Sequence, residues 1–350
     1  MTNDLMTTLI AGATGLSPDT IEVSPRSSLA HQSNRLYDVW AGDRHLIAKE
    51  FLKPNEWQDA PLREFQALEL LAPLDIAPQP IAHIQPHSAA HRPVVVYEFM
   101  EGEPWDRHRP TSTELAELAE VWLQVNAASI DASTEGLWMS RGQSRSFDDI
   151  EAGFHADLKD YADWVESAFH AGRRAVDLCF TVLESRHSAI RELSDQDPML
   201  CFCRADPRFA NVIQRPDGRL GLVDWEDSGL RDPARDLADL MTHPNQEDLI
   251  SPKAWKAFLK PYLTVRAQAD RHIKRRVDLY LALFPVFWLV TLIRHGIRLA
   301  HEGRLKGWME HGLPAGEKLR RYLARGLAWP EAQFARQMKT LSRVAFFPSV

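Results

Sequence analysis

Asp206, Asn211 and Asp224 stand at spacings suited to phosphoryl transfer from a nucleotide. They lie in CFCRADPRFANVIQRPDGRLGLVDWEDSG, residues 201 to 229. One carboxylate would orient the attacking hydroxyl and take its proton. An amide oxygen and a second carboxylate would hold a divalent cation against phosphates. Asp-x4-Asn by itself is common, and Asp-Pro and Asp-Gly are ordinary turn formers. The flanking sequence makes the pair more specific. Met199 to Cys203 is an apolar run leading in, and Asn211, Val212 and Ile213 lead out. Pro216, Asp217 and Gly218 then form a hairpin turn into Leu220 to Val223, which delivers Asp224. Because a hairpin brings its ends together, Asn211 and Asp224 can reach one cation.

This segment resembles the catalytic loop of aminoglycoside phosphotransferases and related small-molecule kinases, such as choline and homoserine kinases. Val223-Asp224-Trp225-Glu226 resembles the family's Ile-Asp-Trp-Glu. Gly229 to Ala238 (GLRDPARDLA) is similar to its Gly-Asp-Pro-x-x-Asp-Leu-Ala. The densest match is 200 to 240, inside an outline running from about residue 20 to 300. One departure stands out. Arg204 and Ala205 occupy the places where the family carries His and Gly. Either Arg204 braces Asp206 or Asp224, or the position marks altered or lost catalysis.

The resemblance extends to the nucleotide side. Lys49, in Ile47-Ala48-Lys49, resembles the strand lysine that contacts the α- and β-phosphates of ATP. Glu64, in the following helix, is the ion-pair partner it implies, with Glu69 as a weaker competitor. Read without the resemblance, Lys49 is a solvated strand lysine. Ser33 and Asn34, in Ser33-Asn34-Arg35-Leu36-Tyr37, are similar to the family's Ser-Asn-x-x-Tyr phosphate loop; a plain polar turn is the alternative. There is no G-x-G-x-x-G. By the same resemblance, the backbone groups of Glu98 and Met100 face adenine.

Elements that must position these residues are legible in outline. Arg35 to Val39 and His45 to Phe51 read as strands joined by a turn at Ala41-Gly42-Asp43. Residues 57 to 72 have helical periodicity, with Leu62, Phe65, Leu68 and Leu71 on one face, and Pro73 stops the run. Pro93 to Met100 is an apolar strand, and Glu101-Gly102-Glu103-Pro104 breaks it where a hinge would lie. Helices are expected near 112–130, 149–185, 232–242, 252–268, 272–302 and 315–344. Strands first and helices afterwards imply an α+β chain rather than a doubly wound sheet. The resemblance specifies a two-lobed protein-kinase-like fold. It has a small N-lobe (1–102) with an antiparallel sheet and one helix, and a larger, mainly helical C-lobe (103–350). Asp232 and Asp236 read as structural, capping the helix at 232–242 and bracing the catalytic loop.

The chain has 350 residues, 45% hydrophobic and 25% charged, with net charge −7, which does not point to nucleic-acid binding. Three cysteines (Cys179, Cys201, Cys203) are too few for a disulfide framework, and a reducing cytoplasm fits. The N-terminus lacks a signal-peptide pattern. The longest apolar run, Leu279 to Ile293, has 15 residues and contains Pro285. It reads as a buried core helix rather than a membrane span, which needs about 20.

The acceptor is less legible. Residues 146 to 167 hold Asp148, Asp149, Glu151, Asp157, Asp160, Asp163 and Glu166 against Lys159 alone. Two readings stay open: a solvated helix face, or a carboxylate-lined cleft for a cationic acceptor such as an aminoglycoside or amino-alcohol. Trp105, Trp138, Trp164 and Trp225 are either core or an aromatic wall for a cation. From Lys256 to Arg343, 18 Lys or Arg face 6 Asp or Glu, which is exposed helix charge or a dock for an anionic partner.

The expectation is a cytoplasmic kinase using ATP and Mg²⁺ on a small-molecule hydroxyl. Asp206 serves as base, Asn211 and Asp224 hold Mg²⁺, and Lys49, held by Glu64, meets the phosphates. The rival is a pseudokinase that binds nucleotide or a partner without turnover. A protein kinase is disfavoured, because H-R-D, D-F-G and A-P-E strings are absent.

Overall fold

The computed structural model describes residues 2–26, 34–52, 59–85, 92–106, 108–130, 137, 147–164, scattered positions between 169 and 181, 200–306, 309–310 and 313–327. The chain packs as two compact units: 1–141 with 200–231 and 257–262, and 142–199 with 232–256 and 263–350.

The first unit is built on a five-stranded antiparallel sheet. Its strands are β1 (Ile21–Pro25), β2 (Asn34–Ala41), β3 (Arg44–Phe51), β4 (Pro80–Ile84) and β5 (Val94–Glu98), in spatial order β1-β2-β3-β5-β4. β2 and β3 form the expected hairpin, with Gly42 at φ 66° in its turn. In β3, a central strand, every residue from Leu46 to Phe51 is buried; Leu46 and Ala48 join a core cluster with Met6 and Ile10, and Lys49 is held by Glu64.

Two helices lie in this part of the chain. Helix α1 (Asn3–Thr14) was not foreseen from sequence, although its signals are present. The Thr2 side chain caps its N-terminus, Gly15 closes it in the left-handed conformation, and Met6 and Ile10 enter the sheet core. Helix α2 (Ala60–Leu71) falls where the periodicity puts it, but its buried face differs from the expected one. Leu62 is 38% exposed, whereas Arg63, Glu64, Ala67, Leu68 and Leu71 are buried. Two charged residues displace the leucine because each finds buried partners, described below; an unpaired charge could not be buried there.

Three short pairings follow β5. β6 (Glu103–Pro104) pairs with β8 (Val212–Gln214), which forms a hairpin with β9 (Leu220–Leu222). β7 (Cys201–Cys203) pairs with β10 (Gly229–Arg231). Gly102, at φ 137°, passes so close to the Gln214 carbonyl that a Cβ there would collide with it. Helix α3 (Ser112–Ala127) carries a capping box between Thr111 and Glu114. Its buried Asn126 donates to the Phe202 carbonyl and accepts from Tyr262, tying α3 to β7. Cys201 and Cys203 are buried free thiols on one face, 3.8 Å apart at sulfur.

The second unit is organised around the helix Ile273–His301, against which the helices Phe147–Asp160, Pro233–Thr242 and Ala315–Leu327 pack. By length and composition this helix could cross a membrane, with a mean hydropathy of 1.7; 67% of that apolar window is buried. Asp232 caps Pro233–Thr242 through the Ala234 amide, as expected, and also binds Arg276, which bridges to Asp270. The helix expected over 149–185 is seen as Phe147–Asp160 and a short turn at Ala162–Trp164. Most of its remainder, and residues 328–344 of the last expected helix, lie outside the described residues.

Candidate active site

Lys49 is the centre of the site. Its position in β3 points its ammonium toward α2 and the end of the β8–β9 hairpin. Nζ donates to Glu64 Oε2 at 2.5 Å and to Asp224 Oδ1 at 2.5 Å, and lies 3.1 Å from Glu226 Oε2. Lys49 is 3% exposed and Glu64 0%, so this is a desolvated pair rather than a surface ion pair. Burial by itself would favour the neutral amine. The carboxylates of Asp224, Glu226 and Glu64 outweigh it and hold the lysine charged, well above its ordinary range.

Three carboxylates share this one ammonium, and their environments divide them. Burial pushes Glu64 up to about 7 despite Lys49, and the negative charges of Asp224 and Glu226 add to the rise. Asp224 goes the other way. Burial would raise it, but Lys49, Arg208 and Arg204 hold it well below the usual carboxylate range. The deepest acid keeps its proton longest, while the one facing three cations stays ionised.

Asn211 and Asp224 converge as the hairpin implied. The Val223 amide donates to the Asn211 carbonyl at 3.0 Å, and Asn211 Nδ2 lies 3.4 Å from Asp224 Oδ2. The short turn Phe209–Asn211 presents the Asn211 side chain. Carboxylate oxygens of Glu64, Asp224 and Glu226 lie within 4.8 Å of one another, and Glu64 Oε1 is buried with no hydrogen-bond partner among the described residues. All-oxygen donors suit a hard divalent cation; because Lys49 Nζ already sits among these three and holds Glu64, the donors that fit one are Asp224, with Asn211 beside it and Glu226 near.

Asp206 follows β7 and faces Asp224 across Arg208. Arg208 Nε donates to Asp206 Oδ2 at 2.7 Å, and its Nη2 lies 2.6 Å from the same oxygen and 3.6 Å from Asp224 Oδ2. Sequence reading passed over Arg208, for which Asp-Pro-Arg gave no signal.

Arg204 is resolved as a brace of main chain. It is 1% exposed. Its Nε donates to the Asp206 carbonyl at 3.1 Å, and its Nη2 donates to the carbonyls of Val223 and Asp224. Its guanidinium lies 4.8 Å from the Trp225 ring centroid. One side chain therefore ties the loop of Asp206 to the strand of Asp224 through main-chain carbonyls. Ala205 and Asp224, both at φ 68°, are left-handed non-glycine residues on either side of this brace.

Two further contacts were missed from sequence. Arg63 Nη1 donates to the Ser228 carbonyl at 2.8 Å, fixing α2 to the segment after Asp224. Asn34 Nδ2 donates to Glu226 Oε2 at 2.5 Å. Both join residues far apart in sequence, which no local pattern encodes.

The remaining expected residues fall as follows. Ser33 lies outside the described residues. The Glu98 amide already donates to the Gln79 carbonyl, and its carboxylate pairs with Arg44 at 3.0 Å. The Met100 side chain rests on Gly221, where any Cβ would collide with it. A cavity of about 420 Å³ runs beside this strand, lined by Asp75, Gln79, Glu98 to Glu101 and Arg215 among others, but by none of the charged residues around Lys49. Trp105 and Trp225 are fully buried core residues, and Trp138 lies outside the described residues. In the acidic segment, Asp157 is buried and bound by Arg294 and Arg298, while Asp160 and Asp163 are exposed. The solvated-face reading describes Asp160 and Asp163, whereas Asp157 is a buried ion-pair partner that neither reading describes.

A strand lysine held by a helix glutamate and an aspartate after a hairpin, with an Asp-x4-Asn loop beside it, is the arrangement of a protein-kinase-like phosphotransferase. The chain belongs to the phosphotransferase enzyme family, APH, whose model matches residues 27–273. Solved structures support the fold. A choline kinase from Cryptosporidium parvum Iowa II is 14% identical, with a TM-score of 0.65, 99% of this chain and 100% of that one covered. The spectinomycin phosphotransferase APH(9)-Ia, in complex with ADP and spectinomycin, is 13% identical, with a TM-score of 0.60 and 98% of each chain covered. The choline kinase LicA from Streptococcus pneumoniae is 18% identical, with a TM-score of 0.52, 91% of this chain and 99% of that one covered. No curated protein sequence matches the chain.

Proposed function

We propose that this phosphotransferase moves the γ-phosphoryl group of ATP, with Mg²⁺, to a hydroxyl of a small molecule. The observation that carries the reading is the double engagement of Lys49, bonded at once to Glu64 and Asp224. That arrangement places one fixed cation beside the carboxylate that would hold the metal. Bound nucleotides in relatives such as APH(9)-Ia support nucleotide use.

Each residue has a role that follows from its surroundings. Asp224 and Asn211 would hold Mg²⁺, with Glu226 within reach. When bound, the ion neutralises charge on the β- and γ-phosphates. Lys49 exchanges part of its carboxylate shell for the α- and β-phosphates, and Glu64 keeps its ammonium from swinging away. Asp206 orients the acceptor hydroxyl and takes its proton. Ser33 and Asn34 would cover the phosphates, which requires Asn34 to leave Glu226. The Glu98 carbonyl and Met100 amide would meet adenine, with residues 1–102 as the nucleotide-binding lobe and 103–350 as the catalytic and acceptor lobe. A cytoplasmic location suits an enzyme drawing on ATP.

Calorimetry of ATP with and without Mg²⁺, followed by ADP release against aminoglycosides, amino-alcohols, sugars and nucleosides, tests this reading. Binding that needs Mg²⁺, with release stimulated by an acceptor, is the expected result and names the acceptor class. Binding with no release under any acceptor supports the pseudokinase alternative, and absence of binding refutes both.

A further inference from the structure

Arg208 is the charged group at the centre of the site to which the phosphotransfer scheme above gives no work. It sits two residues after Asp206, and its backbone is fixed at both ends. Its amide donates to the Asp206 carbonyl at 2.9 Å, and its own carbonyl accepts from the Asn211 amide at 3.0 Å. The guanidinium is therefore anchored between the candidate base and the candidate metal ligand. It touches Asp206 Oδ2 at 2.6 Å and lies 3.6 Å from Asp224 Oδ2. Its side chain is 39% exposed, against 4% for Lys49, so a ligand can reach it.

The two carboxylates that Arg208 bridges are those between which a transferring phosphoryl group would have to pass. A cation bound at Asp224 would weaken the pull of that carboxylate on the guanidinium. Phosphoryl oxygens would then offer it a partner matched to its planar fork of donors. A lysine could offer only a point charge at the same place. Lys49 is buried on the far side of Asp224, so it cannot serve the acceptor side of the phosphorus.

We propose that Arg208 is a catalytic residue that binds the γ-phosphoryl oxygens during transfer; this rests on the kinase reading above. In the step it assists, the acceptor oxygen forms a bond to the γ-phosphorus. The bond from that phosphorus to the β–γ bridging oxygen breaks, its electron pair leaves with ADP, and the hydroxyl proton goes to Asp206. Arg208 neutralises the charge spread over the three equatorial oxygens, and its partial release from Asp206 leaves that carboxylate open to the proton.

The probe is MgADP with and without aluminium fluoride, a mimic of the transferring group, measured by calorimetry on the full chain. For the wild type, aluminium fluoride should tighten MgADP binding by about 10²-fold or more, the lower end of the range by which transition-state mimics exceed ground-state ligands. Arg208→Gln should keep MgADP affinity within about 3-fold and lose the gain, and Arg208→Lys should retain part of it. With an acceptor in hand, Arg208→Gln should lower kcat by about 10³-fold with little change in KM for ATP, the scale of an arginine acting on phosphoryl transfer. An undiminished gain in Arg208→Gln overturns the proposal, as does a wild type that binds MgADP with no gain. Loss of MgADP binding itself in Arg208→Gln makes the arginine structural and also overturns it. A wild type that fails to bind MgADP sinks the kinase reading instead.

Discussion

Replacing Arg204 with alanine should both destabilise the first unit and slow transfer, in amounts set by its contacts. The guanidinium serves three main-chain carbonyls, those of Asp206, Val223 and Asp224, at 1% exposure. The Asp206 carbonyl also accepts from the Arg208 amide, so it would lose one of two donors. The other two would lose a charged donor in a buried setting, at about 1–2 kcal/mol each. The contact with Trp225 adds about 1 kcal/mol. Relief from burying the guanidinium offsets part of this, leaving about 2–4 kcal/mol. That loss should appear in urea unfolding curves followed by tryptophan fluorescence. Activity should fall further than stability suggests, because the same side chain sets the spacing between the Asp206 loop and Asp224. A misplacement of about 1 Å can cost about 10²-fold in kcat. Arg204→His should fall between: one imidazole donor can serve one carbonyl, costing about 1–2 kcal/mol. An Arg204→Ala protein with an unchanged urea midpoint and unchanged kcat would refute the brace. A strong rise in activity with histidine would mean that arginine is a damaged position.

Other expectations can be checked with the same protein. Asp206→Ala should abolish transfer while MgATP affinity measured by calorimetry stays within a few-fold, whereas Asp224→Ala should remove the Mg²⁺ dependence of binding. Ala205→Gly should leave stability unchanged or raise it by up to about 1 kcal/mol, because Ala205 has φ 68°; a loss of 1 kcal/mol or more would contradict strain at that residue. Glu64 is raised when folded, to about 7 from an ordinary 4.5, so the folded state holds the extra proton between those values. Its stabilisation is complete below about 4.5 and is lost as pH rises through 7, with a slope of at most about 1.4 kcal/mol per pH unit. The stability difference between wild type and Glu64→Gln should fall across that window; a flat difference would show that Glu64 titrates as an exposed acid. Asp224 contributes in the opposite sense, since its depressed value makes its stabilisation present above 3.8 and lost in stronger acid.

What the sequence determined was local. Asp206, Asn211 and Asp224 were legible because a hairpin with Pro216, Asp217 and Gly218 at its turn must bring Asn211 and Asp224 side by side. Lys49 and Glu64 were legible only because both resemble residues of related kinases; by itself Lys49 reads as a solvated strand lysine, and its burial is a result of the fold. Asp232 was legible as a cap because a cap needs only its own helix. What tertiary structure decided was which charges could be buried. Periodicity assigned Leu62 to the buried face of α2, yet the fold buries Arg63 and Glu64 there, since partners across the unit make it affordable. Those partners, Ser228 for Arg63 and Lys49 with Asp224 beyond it for Glu64, come from segments up to 165 residues away. The same holds for Arg204, which sequence could read as brace or damage. Carbonyl groups carry no side-chain identity, so only the packed backbone shows that three of them converge on one guanidinium.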